Sequence, residues 1–285
     1  MTALVLSILT SACIFILFKL FGKYRIDTFQ AIVFNYFTAL FCGLIFFGHE
    51  WDNKALSNTS WVPSVLICAV LFISIFALMG ISSLKNGIGS TSIAAKMSMA
   101  LSMAIMIMLY NEPFSSLKLI GIILALIGVA LVSLEKSKNT SSEKSLWMLV
   151  VIFFGSVLLD VLLNYTQRYL LNDLSSSLYT AFGFGIAGLI GILVLLFQKK
   201  LNQITWKNIV AGIILGIPNF FSIYLLLLAY QNAPINDSDI VAIINISIVS
   251  LSTFIGIIFF NEKFTLQKIM GLTAVLIAIF LISQY

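Results

Sequence analysis

The chain has 285 residues, of which 60% are hydrophobic and 9% charged, with a formal net charge of +5, and its mean hydropathy is +1.08. A soluble domain carries about 25% charged residues, so this chain lacks the side chains to cover itself with a polar surface and reads as an integral membrane protein. The cations lie mostly in short loops, with no basic cluster interleaved with aromatics, which argues against nucleic acid as a partner and leaves the lipid bilayer as the neighbour of those loops.

The first apolar run extends from Ala3 to Phe21. No Lys or Arg precedes it, whereas a signal peptide needs a basic leading region, so it is expected to be a retained first transmembrane helix. A helix needs about 20 apolar residues to cross a hydrocarbon core of about 30 Å. Ten segments qualify, at roughly 2–21, 27–47, 61–84, 88–109, 115–134, 146–168, 175–197, 206–230, 238–260 and 264–283. The breaks carry turn chemistry: Lys85-Asn86-Gly87, Asn111-Glu112-Pro113 and Ala233-Pro234-Ile235-Asn236-Asp237.

The second half of the chain repeats the first. Asn111-Glu112-Pro113-Phe114 returns as Asn261-Glu262-Lys263-Phe264, an offset of 150 residues, and the match continues without a gap. Lys118 falls on Lys268, Gly121 on Gly271, Leu126 on Leu276 and Leu131 on Leu281. The polar stretch Glu135–Lys144 has the Ser, Lys and Glu content of a flexible link and falls where the repeat ends. The expected organisation is a five-helix repeat over 1–137, a linker over 138–145 and a second five-helix repeat over 146–285. Because five is odd, the second repeat enters the membrane in the opposite sense. The fold class is therefore all-α integral membrane, ten transmembrane helices as two inverted five-helix repeats, with a binding site between related halves. Lysines and arginines in alternate loops favour a cytoplasmic linker with both termini outside; Lys54, Arg168 and Lys118 are assigned to the opposite loops.

Small residues at a spacing of four mark close helix contacts: Gly121 and Ala125, Gly183, Ala187 and Gly191, and Gly212 and Gly216. Pro218 is expected to kink the eighth span, with Asn219 beside it satisfying a freed backbone group.

The polar residues inside the spans say more. Asp160 lies about fifteen residues into the sixth span, and Ser156, Asp160, Asn164 and either Gln167 or Arg168 recur every three or four residues on one face. Such a stripe must face protein or a water-filled cavity. Lys96 sits about nine residues, or about 13 Å, into the fourth span, where a lone charge costs about 3 kcal/mol on insertion scales. Two readings stand: a substrate or proton site near the midplane, or a structural Lys96–Asp160 ion pair locking the halves. Asn35 and Tyr36 in the second span and Asn245 in the ninth are further candidates for substrate contact, each equally able to bond a neighbouring helix. Asp237 and Asp239, at the start of the ninth span, read as caps on the helix dipole. The Met97, Met99, Met103, Met106 and Met108 series reads as adaptable packing, with Met99 and Met103 placed to floor a cavity.

Enzyme classes fare poorly. His49 is the only histidine, which removes metal-dependent proteases and Ser–His hydrolases. Cys13, Cys42 and Cys68 lack metal-ligand spacing. No metal site, catalytic residue or cofactor is expected.

The twin Asn-Glu-x-Phe junctions, each followed by a span with Gly seven residues after the Phe, resemble the EamA family of the drug/metabolite transporter superfamily, and Lys19 near the end of the first span fits its pattern. The resemblance covers the whole chain. It implies an exporter or exchanger of amino acids and other small metabolites in the bacterial cytoplasmic (inner) membrane, as a monomer or homodimer, with a central cavity between the repeats. Glu112 and Glu262 match the family's recurrent glutamates and are expected to brace the helix junctions. The family's Trp-Gly in the first span and proline in the fourth are absent here, which puts a specific substrate subfamily out of reach. The reading is a secondary transporter of small neutral or zwitterionic metabolites by alternating access, with Lys96 and Asp160 offering one cation and one anion. The alternative is a translocator of lipid-like substrates or a transporter-like sensor without flux.

Overall fold

The computed structural model describes residues 1–51, 60–85, 88–133, 145–171, 176–260 and 265–282. Among these it holds ten α-helices and no strand: α1 Thr2–Tyr24, α2 Thr28–Phe47, α3 Val62–Lys85, α4 Ile88–Tyr110, α5 Ser116–Ser133, α6 Leu146–Tyr169, α7 Ser176–Phe197, α8 Trp206–Asn232, α9 Asp237–Phe260 and α10 Leu266–Ile282. Helices are the expected solution for an apolar chain in lipid, because every backbone donor and acceptor is then paired within its own segment. Six of them, α1, α2, α3, α6, α7 and α8, are long and apolar enough to cross a membrane, and shorter apolar stretches run through α4, α5 and α10.

Three helices end by the same device. Arg25 follows α1, Asn111 follows α4 and Lys199 follows α7, with φ of 54°, 51° and 54°. A left-handed residue there turns the next N–H back onto a carbonyl of the last turn: Ile26 N to Phe21 O at 3.0 Å, Glu112 N to Ile107 O at 3.2 Å, and Lys200 N to Leu195 O at 3.0 Å. At the start of α2, the Asp27 side chain accepts from Gln30 N at 3.1 Å, the ordinary role of an N-cap carboxylate.

The chain divides into two compact units, Met1–Ala77 with Leu162–Asn232, and Leu78–Val161 with Ala233–Tyr285. Each draws on both halves of the sequence.

In the first unit α2 runs antiparallel to α7 and parallel to α8. Glycines on α7 and α8 take the side chains of α2: Gly191 meets Val33, Gly188 meets Phe37 and Gly185 meets Leu40. A methyl group at Gly212 would fall 2.6 Å from both Ala31 O and Phe34 Cβ, and one at Gly216 would fall 2.6 Å from Asn35 O. These backbones touch because nothing intervenes, which is how helices associate in lipid without a hydrophobic drive. Gly183 points instead at Val65 of α3. α8 runs unbroken through Pro218. Asn219 does not discharge the expected role as a donor to the backbone, because its buried Nδ2 has no partner among the described residues.

In the second unit α5 packs against α10 through small residues. A methyl at Gly121 would fall 3.3 Å from Ala278 O, and one at Gly128 would fall 2.9 Å from Gly271 O. The 150-residue offset turns the first of these pairs into the second, since 121 becomes 271 and 278 becomes 128.

Candidate functional site

The second unit contains Lys96, Asp160, Asn245 and Glu112. Lys96 extends from the middle of α4 and donates from Nζ to Asn245 Oδ1 of α9 at 3.0 Å. The Asn245 amide is held in turn by its own helix, Nδ2 donating to Val241 O at 3.0 Å, which fixes its oxygen toward the ammonium. Asp160, on α6, accepts from Ser102 Oγ of α4 at 3.1 Å. Ser102 is fully buried, six residues beyond Lys96 on the same helix.

The ammonium and the carboxylate act on each other electrostatically, but they do not form the ion pair that was one of the two readings of the sequence. Among the described residues the buried ion pair is Lys118–Asp239, at 2.6 Å with side chains 0% and 2% exposed. Lys96 is met by an amide oxygen and Asp160 by a hydroxyl. Met99, Met103 and Met106 are buried on the same helix.

The sequence puts Lys118 among loop lysines; the structure buries it. Three residues into α5, it reaches the N-terminal end of α9, where Nζ also donates to Ser238 Oγ at 2.9 Å. Asp239 is therefore more than a dipole cap: besides the ion pair, its Oδ2 accepts from Asn236 Nδ2 at 3.1 Å. Glu112, in the turn between α4 and α5, accepts from Asp237 N at 3.1 Å and from Ser238 N at 3.4 Å. It thereby supplies from another element what a helix N-terminus lacks, acceptors for its first N–H groups. Glu262, its counterpart in the repeat, lies outside the described residues.

The first unit holds the other candidates. Tyr36 is fully buried and stacks on Phe184, ring centroids 5.4 Å apart; its hydroxyl has no partner among the described residues. Asn35 donates from Nδ2 to Ile32 O at 3.3 Å, leaving Oδ1 without one. Asn164, on α6, is fully buried with neither amide atom paired among the described residues. Each such atom costs about 1–3 kcal/mol unless something pairs it. Further along α6, Gln167 rather than Arg168 turns inward, accepting from Ser176 Oγ at 2.9 Å, while Arg168 is exposed. A separate hydroxyl cluster joins Ser64 to Thr166 and, at 2.9 Å, to Tyr179.

Sequence reasoning missed Ser102 and the burial of Lys118. A serine in an apolar run is silent until its helix neighbours are known. Lys118 left a fainter trace, since the repeat carries lysine again at 268.

The model of the EamA-like transporter family matches the chain twice, over residues 2–134 and 147–284. The chain belongs to the EamA-like transporter family. The two matches cover both sequence repeats, so the EamA-like pattern holds for each half separately. A Haemophilus influenzae protein, itself uncharacterized, is 28% identical to this EamA-like chain over 288 residues, covering 97% of the chain and 96% of its own length. A solved crystal structure superposes with a TM-score of 0.76 at 12% identity, over 98% of this chain and 94% of its own. That likeness is one of fold.

Proposed function

We propose that this EamA-like protein is a ten-span secondary transporter of the inner membrane that exports or exchanges small neutral or zwitterionic metabolites, amino acids among them, by alternating access at a central site between the repeats. The observation that carries the reading is the state of its two charges. An ammonium and a carboxylate inside membrane-embedded helices are each expensive, at about 3 kcal/mol on insertion scales. Cancelling one against the other would relieve that cost. Lys96 is instead held by Asn245 and Asp160 by Ser102. A zwitterion would offer the ammonium and the carboxylate each an opposite charge. The exchange of the Gly121–Ala278 and Gly128–Gly271 contacts under the repeat supports a two-fold relation between the halves, the architecture that lets one site face either side of a membrane in turn.

One observation favours the lipid-like alternative. An open apolar depression on α4 and α6 is lined by Ala94, Met97, Leu149, Val150, Phe153 and Phe154, and an acyl chain would suit it.

Counterflow in proteoliposomes loaded with pooled amino acids and small neutral metabolites separates the readings. Saturable exchange of one compound, lost in Asp160→Asn while the variant still elutes as a folded protein, is the expected result. Unchanged exchange in that variant removes Asp160 from the mechanism. No flux across the pool rejects the amino-acid reading and directs the search to lipid-like substrates.

A further inference from the structure

Two turns at one end of the first unit are tied together. Asn208, the third residue of α8, donates from Nδ2 to Gln30 Oε1 of α2 at 2.7 Å and accepts from Asp27 N at 3.1 Å. Gln30 and Asn208 are 3% and 5% exposed, so this clasp lies beneath the surface and fixes the α1–α2 turn to the α7–α8 turn. Around it stand Lys23, Arg25, Lys199, Lys200 and Lys207, all exposed. Asp27 is the one acid in either turn, and its carboxylate is engaged in capping α2 through Gln30 N. Arg25 and Lys199 take left-handed backbone after α1 and α7, with φ of 54° in each. Glycine ordinarily fills such a place, and a residue with a side chain is strained there. The helix end alone asks for glycine, not for a cation.

Three exposed rings border the same turns. Tyr24, the last residue of α1, is 62% exposed; Phe197, the last of α7, is 86% exposed; Trp206, the first of α8, is 73% exposed. Aromatic side chains at helix ends mark the level at which hydrocarbon gives way to headgroups, and Lys23 Nζ lies 6.0 Å from the centre of the Tyr24 ring. The cations are thereby held at headgroup depth. A soluble anion would use the cations alone, whereas an anionic lipid uses the cations and the rings.

We infer that this end of the first unit binds the headgroup of an anionic phospholipid, whose phosphate meets the cations and whose upper acyl chains lie against Tyr24, Phe197 and Trp206. The inference stands apart from the transporter reading, since it needs only a protein in a membrane. Because the Gln30–Asn208 clasp presets the two turns, little of the backbone is left to order when the lipid binds. The phosphate also relieves the repulsion among cations crowded on one frame, so the bound lipid stabilises the folded chain. The sequence favours a cytoplasmic place for these lysines and arginine, and the anionic lipids of that leaflet give the membrane its negative surface.

The test adds lipid to the purified full chain in dodecyl maltoside and reads the thermal midpoint. Dioleoyl phosphatidylglycerol should raise it. Dioleoyl phosphatidylcholine, which has the acyl chains without net charge, and glycerol phosphate, which has the charge without acyl chains, should not. In the triple variant Lys199→Gln, Lys200→Gln, Lys207→Gln, the phosphatidylglycerol concentration giving half the rise should increase about a hundredfold, at roughly fivefold for each lysine removed. An equal loss of charge in the polar stretch Glu135–Lys144, through Lys136→Gln, Lys138→Gln and Lys144→Gln, is the control and should leave the response unchanged. An unaltered response in the first triple variant, or an equal loss in both, overturns the inference. So does an equal rise with phosphatidylcholine or with glycerol phosphate. If the first triple variant does not fold, salt decides on the unaltered protein: at about 1 M the screening length falls to about 3 Å, and the rise with phosphatidylglycerol should vanish. A rise that survives the salt overturns the site.

Discussion

The pair Lys118–Asp239 offers the sharpest test of how the second unit is held together. At 2.6 Å, two unit charges attract by about 6 kcal/mol at an effective dielectric of about 20. Desolvation costs several kcal/mol for each ion, so the intact pair is expected to contribute little net stability. Removing one partner is different, since the other charge stays buried without its counter-ion. Lys118→Met should therefore destabilise by about 3–5 kcal/mol. At roughly 2–4 °C per kcal/mol for a chain of this class, the midpoint in detergent should drop by about 10 °C. Asp239→Asn should cost a similar amount, because Lys118 retains only Ser238 and a neutral amide. The double variant Lys118→Met, Asp239→Asn leaves no lone charge buried, so it should recover most of the loss and be more stable than either single variant. Thermal unfolding followed by size-exclusion chromatography measures all three. Single variants as stable as the parent, or a double variant that loses the sum of the singles, would refute the argument. The midpoints should also be insensitive to added salt, since buried charges are poorly screened.

Glu112 is expected to act through its acceptors more than its charge. Glu112→Ala strands the N–H groups of Asp237 and Ser238 and should cost about 1–3 kcal/mol, whereas Glu112→Gln, which keeps one acceptor oxygen, should lose less than half of that; the same unfolding assay reads both. Gly128→Ala would press a methyl against Gly271 O at 2.9 Å and Val275 Cγ2 at 2.6 Å. Because backbone atoms cannot yield as a side-chain tip does, it should destabilise by about 1–3 kcal/mol. Gly22→Ala, where a methyl meets nothing, is the control and should leave the midpoint unchanged or raise it slightly.

Much of this architecture is legible in the sequence because a membrane narrows the choices. An apolar run of about 20 residues has one good backbone solution, so the positions of the helices follow from hydropathy and from turn residues such as Asn111-Glu112-Pro113. Lys96 and Asp160 stand out for the same reason, as charges at a depth where charge is costly. What resists reading is the choice of partner. Whether Lys96 meets Asp160 or Asn245 depends on the rotation and stagger of α4, α6 and α9 to within one residue, and hydropathy carries no such register. Lys118 misleads for a related reason: near a helix end, a lysine that snorkels to solvent and one that turns inward to a carboxylate have the same sequence neighbourhood. The decisive fact, Asp239, lies 121 positions away.

The repeat also acts as an internal control for what folding requires. The small residues at the α5–α10 contact are kept in both halves, Gly121 with Gly271 and Gly128 with Ala278, because a larger side chain at either place would force the backbones apart. Some polar positions are kept, such as Lys118 with Lys268 and Glu112 with Glu262, but others are not. Where one half has Lys96 the other has Ile246, where one has Asn245 the other has Ala95, and where one has Asp239 the other has Gly89. One repeat thus performs the helical and packing role of α4 or α9 with an apolar or absent side chain at the very position where its twin carries a charge or an amide. Helix formation does not ask for an ammonium at residue 96. Its cost of about 3 kcal/mol on insertion scales is offset in part by the bond to Asn245, and the transporter proposed above gives the ammonium a use that the fold does not.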